Sequence, residues 1–325
     1  MDALSTILQG LRFSGALFIE ADLVSPWAIR TPTVADLAQS LGAKDSVVIP
    51  YHWLEAGTCN ISAPGLPSVS LKAGDIAVFP QGHVHDLASS PHLIPTTIPR
   101  EFVDHVVRRR GIKSVRLDGT GETTRILCGF FSVPAWSGAP LIGALPPLIH
   151  LSIEDGSTSA LFQAMRSHLG DKETSPIGRE ALLSRLSEIL FIDVLRRCIL
   201  SSNTQLQGWL AALRDPVLKR ALELLHRDLQ KQWTLDELAQ QCHSSRSVLA
   251  ERFRSEIGLP PMRYQTKWRL SCAAQDLCAG QSPIIEIAQR YGYSSESAFS
   301  KAFRQTYDVP PATFRKRSGT KPAHN

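Results

Sequence analysis

At 325 residues the chain exceeds what one hydrophobic core usually serves, so two domains are expected. Hydrophobic residues make up 43% and charged residues 20%, which excludes a wholly disordered chain, and no apolar run approaches the roughly twenty residues of a membrane span. Residues 204–325 hold 18 Lys and Arg against 11 Asp and Glu, whereas residues 1–203 hold 17 against 19, so the cationic surplus lies wholly in the C-terminal part.

The elements follow in chain order. The start, Met1-Asp2-Ala3-Leu4, lacks the basic segment of a signal peptide, which points to a cytoplasmic protein without membrane attachment. Leu4, Ile7, Leu8 and Leu11 then share one helical face. From Gly15 to about Phe131 the chain changes to short apolar stretches punctuated by Gly and Pro, such as those at 46–49, 75–79 and 125–128. Many short strands at close spacing predict a barrel or sandwich. Beyond Pro147 the pattern is helical. The segment 176–200 carries Leu182, Leu186, Ile189, Leu190, Val194 and Cys198, a stripe that predicts either a buried core helix or a homodimer interface. The polar run Ser201 to Gly208 marks the break between domains.

In the basic part, Pro216 suits a first helical position, and Thr234-Leu-Asp-Glu237 reads as a capping box opening a helix to Cys242. A second helix, Ser245 to Ile257, turns Val248, Leu249 and Phe253 inward and leaves Arg246, Ser247, Ala250, Glu251 and Arg254 outside. This is a helix-turn-helix. The arrangement recurs: Ser282-Pro283 as cap and first residue, Ile284 to Arg290, Gly292 as a left-handed stop, then Ser295 to Thr306. There Ala298, Phe299 and Phe303 are expected inward, with Glu296, Ser297, Ser300, Lys301 and Arg304 outside. One long helix, Pro261 to Ala279, closed by Gly280, joins the two units.

These segments resemble the AraC/XylS family of transcriptional regulators. The resemblance rests on the Ile287 to Tyr293, Phe299 to Arg304 and Asp308 to Arg315 stretches in the second unit, with Trp233 to Ala239 and Ser245 to Phe253 in the first. It implies two helices entering successive major grooves about one turn apart, roughly 34 Å. Arg246, Ser247, Ala250 and Glu251, with Glu296, Ser297 and Lys301, are then base-reading candidates, and Arg254 and Arg304 phosphate contacts; Ser300 completes the second exposed face. Double-stranded DNA and RNA polymerase are the partners implied.

In the strand-rich part, the stretch Gly74 to His85 matches the second motif of the cupins, and with Gly208 to Asp215 and Thr124 to Gly129 it resembles the cupin-type sensor domain of one AraC branch. The fold class expected is therefore α+β: an N-terminal antiparallel cupin-like β-barrel with flanking helices, and an all-α C-terminal domain. Boundaries are set at 1–203 for effector sensing and dimerisation, 204–215 for a linker, 216–318 for DNA binding and 319–325 for a disordered tail. Metal-dependent cupins offer two histidines in the earlier motif, where Tyr51-His52-Trp-Leu-Glu55 has one. His52, His83 and His85 are the candidates for a divalent metal or an organic effector. The six cysteines include no Cys-x-x-Cys pair and read as reduced thiols, with Cys59 and Cys128 as candidates for a redox switch. The cluster Arg108-Arg109-Arg110 with Lys113 reads as a solvated loop. A DNA-binding regulator answering to a small effector, and not an enzyme, is the leading expectation; a metal-dependent cupin enzyme with a helical appendage is its rival.

Overall fold

The structure, a computed structural model, describes residues 18–43, 46–108, 113–135, 142–153, 157–170, 178–201, 208–280 and 282–319. The helix expected over the first twelve residues, Arg109 and Arg110, the centre of the linker and the tail beyond 319 lie outside the described residues. The chain divides into two compact units, one within residues 12–205 and one from residue 206 onward.

The first unit is built from two sheets. β1 (Phe18–Val24), β3 (Ser46–Ala56), β6 (Asp75–Val78), β9 (Lys113–Leu117), β10 (Thr123–Pro134) and β11 (Ile149–Ser152) form one, in the order β11-β6-β3-β10-β1-β9. β2 (Ala28–Arg30), β4 (Thr58–Ser62), β5 (Val69–Lys72), β7 (Asp86–Ala88) and β8 (Thr96–Thr97) form the other, in the order β5-β4-β7-β2-β8. The architecture is cupin-like, but the sheets face each other as a sandwich and do not close into one hydrogen-bonded barrel. Two pairings, β1 with β9 and β2 with β8, are parallel where antiparallel strands were expected. The core between the sheets takes Leu23, Leu54, Phe79 and Ile126 from the larger and Ile61, Leu71 and Leu87 from the smaller.

β3 is buried over residues 48–54, on both faces, because its two sets of side chains meet different layers. Its even-numbered positions His52 and Leu54 face the smaller sheet. Its odd-numbered ones meet helices: Trp53 stacks on Phe162 of α3 (Ser157–Gly170) with ring centroids 4.3 Å apart. Tyr51 stacks on Phe131, which in turn contacts Phe191 of α4 (Arg179–Leu200). Gly129 lies opposite Tyr51 on β10, and a Cβ there would stand 2.4 Å from the ring. Helices α1 (Val34–Ser40) and α2 (Arg100–Arg108) cover a second apolar cluster of Leu37, Val48, Val103 and Phe130.

α4 answers part of the question its sequence posed. Leu183, Leu190, Phe191, Val194, Leu195 and Cys198 are buried, so Leu190 belongs to the core and not to a free stripe. Leu182 and Ile189, 40% and 48% exposed, are left on the other side with Leu186 half-buried between them.

The second unit is helical: α5 (Gly208–Ala212), α6 (Pro216–Arg227), α7 (Leu235–Gln241), α8 (Arg246–Ile257), α9 (Pro261–Ala279), α10 (Ile284–Arg290), α11 (Glu296–Tyr307) and α12 (Pro311–Gly319). α5 departs from the expected linker, because Leu210 and Ala212 are buried and Ala212 joins the core made by α6, α7 and α8. The local chemistry sets the helix starts. Asp215 caps α6 through bonds from the Val217 and Leu218 N–H groups, and Thr234 and Glu237 form the capping box reciprocally. α10 differs: Pro283 itself is the cap, no side chain assists, and Ser282 instead offers its carbonyl to Arg315 of α12 at 2.6 Å.

Gly292, at φ +78°, follows α10, the first helix of the second helix-turn-helix, and a Cβ on it would meet the Gln230 carbonyl at 2.7 Å. Both the conformation and the contact demand glycine. Gly292→Ala is expected to cost the helical unit about 1–3 kcal/mol, measured as a lower urea midpoint of a fragment covering residues 208–319.

Candidate nucleic-acid interface and candidate effector cavity

The two helix-turn-helix units present similar faces. In α8 the buried residues are Leu249 and Phe253, while Arg246, Ser247, Glu251 and Arg254 are exposed and Ala250 is half-buried. Val248 is 40% exposed, not inward as expected; its N–H instead donates to the Ser245 cap at 3.3 Å. In α11 Phe299 and Phe303 are buried, Glu296, Ser297, Lys301 and Arg304 are exposed, and Ser300 is half-buried. Ala298 is also exposed, its N–H donating to the Ser295 cap at 3.2 Å. In both cases the expected inward residue sits in the first turn, where the helix has already left the core. Arg246 lies 3.6 Å from Asp236, an exposed pair that a competing acceptor can displace at little cost.

A buried polar joint fixes one unit to the other. Arg269 of α9 is only 7% exposed; its Nη2 donates to the Lys231 carbonyl, which also accepts from Gln265 Nε2 at 2.8 Å. The next residue, Gln232, donates from Nε2 to the Gly292 carbonyl at 2.8 Å. The segment leading into α7 is thus tied to the turn that leads into α11. At the other side of that turn Asp276 accepts from Arg290 at 2.5 Å and from the Tyr291 hydroxyl at 3.0 Å. Sequence reading saw α9 as a spacer and missed Gln265 and Arg269; two polar residues at i and i+4 on an otherwise core-facing helix were the available signal.

In the first unit His52 and His85 meet, as the sequence suggested, with Nε2 atoms 2.6 Å apart. β3 positions His52 between Cys128 of β10 and Ala77 of β6. His85 is held by Thr31, whose hydroxyl accepts from the His85 N–H and donates to the His85 carbonyl, both at 3.0 Å, and its ring stacks on Phe79 at 3.7 Å. His83 does not join them. It sits outside a strand with an exposed side chain, and contributes its carbonyl, 2.7 Å from His85 Nδ1.

The proton positions follow. A carbonyl only accepts, so His85 Nδ1 carries hydrogen and its Nε2 is bare. His52 Nε2–H must then donate to it. That leaves His52 Nδ1 bare to accept from the Cys128 thiol, 3.0 Å away. Cys128, His52, His85 and the His83 carbonyl form one neutral chain running in one direction. Burial, reinforced by the neighbouring ring, holds His52 well below its ordinary value; burial, opposed by the His83 carbonyl and Asp86, brings His85 to about 4.

This arrangement does not fit a divalent metal, one of the two ligands for which these histidines were candidates. Two imidazole ligands on one tetrahedral zinc stand about 3.3 Å apart, whereas these nitrogens share a proton at 2.6 Å. Glu55 is three residues along the strand from His52 and faces the other way, pairing with Arg166 of α3 at 3.4 Å. No group of three or more His, Cys, Asp or Glu side chains converges among the described residues. The thiols fare similarly: Cys59 is fully buried, and burial pushes both Cys59 and Cys128 up to about 12. Neither is a thiolate at neutral pH.

Beside the histidine pair lies a cavity of about 610 Å³, within the range of small-molecule sites. His52 and Cys128 line its inner end, Trp27 and Phe130 its walls, and Ile94 and Leu117, 92% and 39% exposed, its rim.

These features define a protein that pairs a cupin-type unit with a basic, doubled helix-turn-helix unit. The cupin family profile matches residues 2–200, more than half of the chain, and that of a helix-turn-helix domain matches residues 238–317. The chain belongs to the AraC-type family of transcriptional regulators with an N-terminal cupin-type domain. An AraC-like transcription regulator of Streptomyces lividans is 29% identical over 317 residues, covering 97% of this chain and 98% of its own length. The regulator AlkR of Acinetobacter baylyi is 29% identical over 323 residues, covering 98% and 100%. Among solved structures, ToxT of Vibrio cholerae aligns over 95% of this chain and 99% of its own with TM-score 0.35 and 13% identity. The protein is accordingly a DNA-binding regulator and not an enzyme. No described helix is long and apolar enough to cross a membrane.

The neutral histidine chain predicts acid sensitivity. An unfolded histidine takes up its proton near 6.5 and His85 in the fold only near 4, so the unfolded state binds more protons between these values. Stability of the cupin-type unit is expected to be full above pH 6.5 and to fall as pH drops toward 4. A urea series over this range tests it, and His85→Phe should flatten the slope.

Proposed function

We propose that the protein reads a two-part DNA site with α8 and α11 and couples that binding to a small effector held in the cavity of the first unit. The observation that carries the DNA reading is the pair of capped helices, each with two buried residues on one side and exposed Arg, Ser and Glu on the other, joined in α11 by Lys301. Arg246, Ser247, Ala250 and Glu251 meet base edges in one major groove, and Glu296, Ser297 and Lys301 in the next, with Ser300 completing that face. Arg254 and Arg304, in the last turns, hold phosphates. Contact with RNA polymerase would turn such binding into transcriptional control. The cavity and its neutral polar end support an organic effector over a metal or an oxidant.

Arg246→Ala and Lys301→Ala should each relax base preference in a different half of the site, at about 1–3 kcal/mol per lost contact. Arg304→Ala should weaken all sequences alike and lower the salt dependence. Binding-site selection with each variant checks this; a uniform loss with Arg246→Ala or Lys301→Ala would reassign those side chains to phosphates.

We further propose that α4 dimerises the protein through Leu182, Leu186 and Ile189, the side its own core leaves uncovered. Ile189→Glu is expected to give a folded monomer by analytical ultracentrifugation, because the residue is 48% exposed within one chain. A dimer that survives the substitution would place the interface elsewhere.

A further inference from the structure

We infer that the cavity of the cupin-type unit takes an uncharged, largely apolar organic molecule and rejects carboxylates. This deepens the effector reading above and rests on it. Three features select the class. The inner end offers no spare donor: the Cys128 thiol, His52 Nε2–H and His85 Nδ1–H are each spent on the next acceptor in the chain, and the Thr31 hydroxyl is spent on the His85 carbonyl. Pro26, Pro32, Pro50 and Pro99 line the space and contribute no backbone N–H.

Charge works in the same direction. Among the described lining residues there is no Lys or Arg, and the Asp118 carboxylate there is already paired with Arg116 at 3.1 Å. A carboxylate drawn into this space would lose its hydration and find no Lys or Arg, only the exposed His83 ring and the unpartnered indole N–H of Trp27, which do not replace a full shell of water. An alkyl chain loses nothing on entry. It replaces water against Leu23, Ile29, Val106, Ile126 and Phe130. The mouth tolerates a single uncharged polar tip, since Thr96 and Thr97 line it and are exposed.

Trp27 is 4% exposed and lines the cavity, so its fluorescence reports occupancy. The test titrates the full-length protein at pH 7.5 with decan-1-ol and with decanoate, a pair alike in chain and different in charge. Decan-1-ol is expected to shift the tryptophan emission and raise the thermal midpoint, with decanoate at least tenfold weaker. In Trp27→Phe the thermal shift with decan-1-ol should persist while the emission change disappears; persistence of the emission change would place binding elsewhere and overturn the proposal. Decanoate binding as tightly as decan-1-ol would overturn the uncharged class while leaving the cavity as the effector site. If neither compound shifts emission or midpoint, both this class and the cavity's role in effector binding fall.

Discussion

The spacing of the two reading helices depends on a single shared carbonyl. Lys231 sits just before the first helix-turn-helix, and its oxygen is shared by Gln265 and Arg269 from the long helix α9. The guanidinium of Arg269, a residue 7% exposed, is expensive to bury, and with its Nε unpartnered it depends on the bond from Nη2 to this carbonyl. That requirement gives the joint its geometric force. If α9 rotated or slid, Arg269 would lose its partner inside the protein, so the helix is locked to the segment before α7. Gly292, approaching both the Gln230 carbonyl and the Arg269 guanidinium, brings the second unit to the same point. A strip of backbone from Gln230 to Gln232 thus sets the relation between α8 and α11.

Desolvation governs the other unit in a different way. His52, His85 and Cys128 are ionisable groups removed from water, and the chain of hydrogen bonds lets all three stay neutral with no proton left over. Each donor has one acceptor, down to the His83 carbonyl. A metal would need bare nitrogens pointing at a common centre, whereas these point at one another. The fold brings His85 beside the strand that carries His52. With one histidine in the earlier motif and Glu55 turned toward Arg166, the framework holds a hydrogen-bonded chain at the inner end of an apolar space.

The sequence by itself determined the helical unit closely. Thr234 with Glu237, Ser245, Ser295 and Gly292 fix their own helix ends through side-chain bonds or backbone conformation, and such effects are complete within a few residues. The meeting of His52 and His85 was also legible, since a motif spacing carries it. What the tertiary structure alone decided involves partners distant along the chain. Leu190 joined the core and Ile189 did not, because β10 and β11 cover one side of α4; a helix apolar around much of its circumference does not announce which side that will be. Val248 and Ala298 proved exposed because the core reaches only the second turn of each helix. The sheets stayed open, and two strand pairs ran parallel, because register between strands up to about a hundred residues apart is set by packing and not by local pattern. The direction of the proton chain likewise needed the third dimension: it is fixed by one backbone carbonyl, and a carbonyl leaves no mark in the identity of its residue.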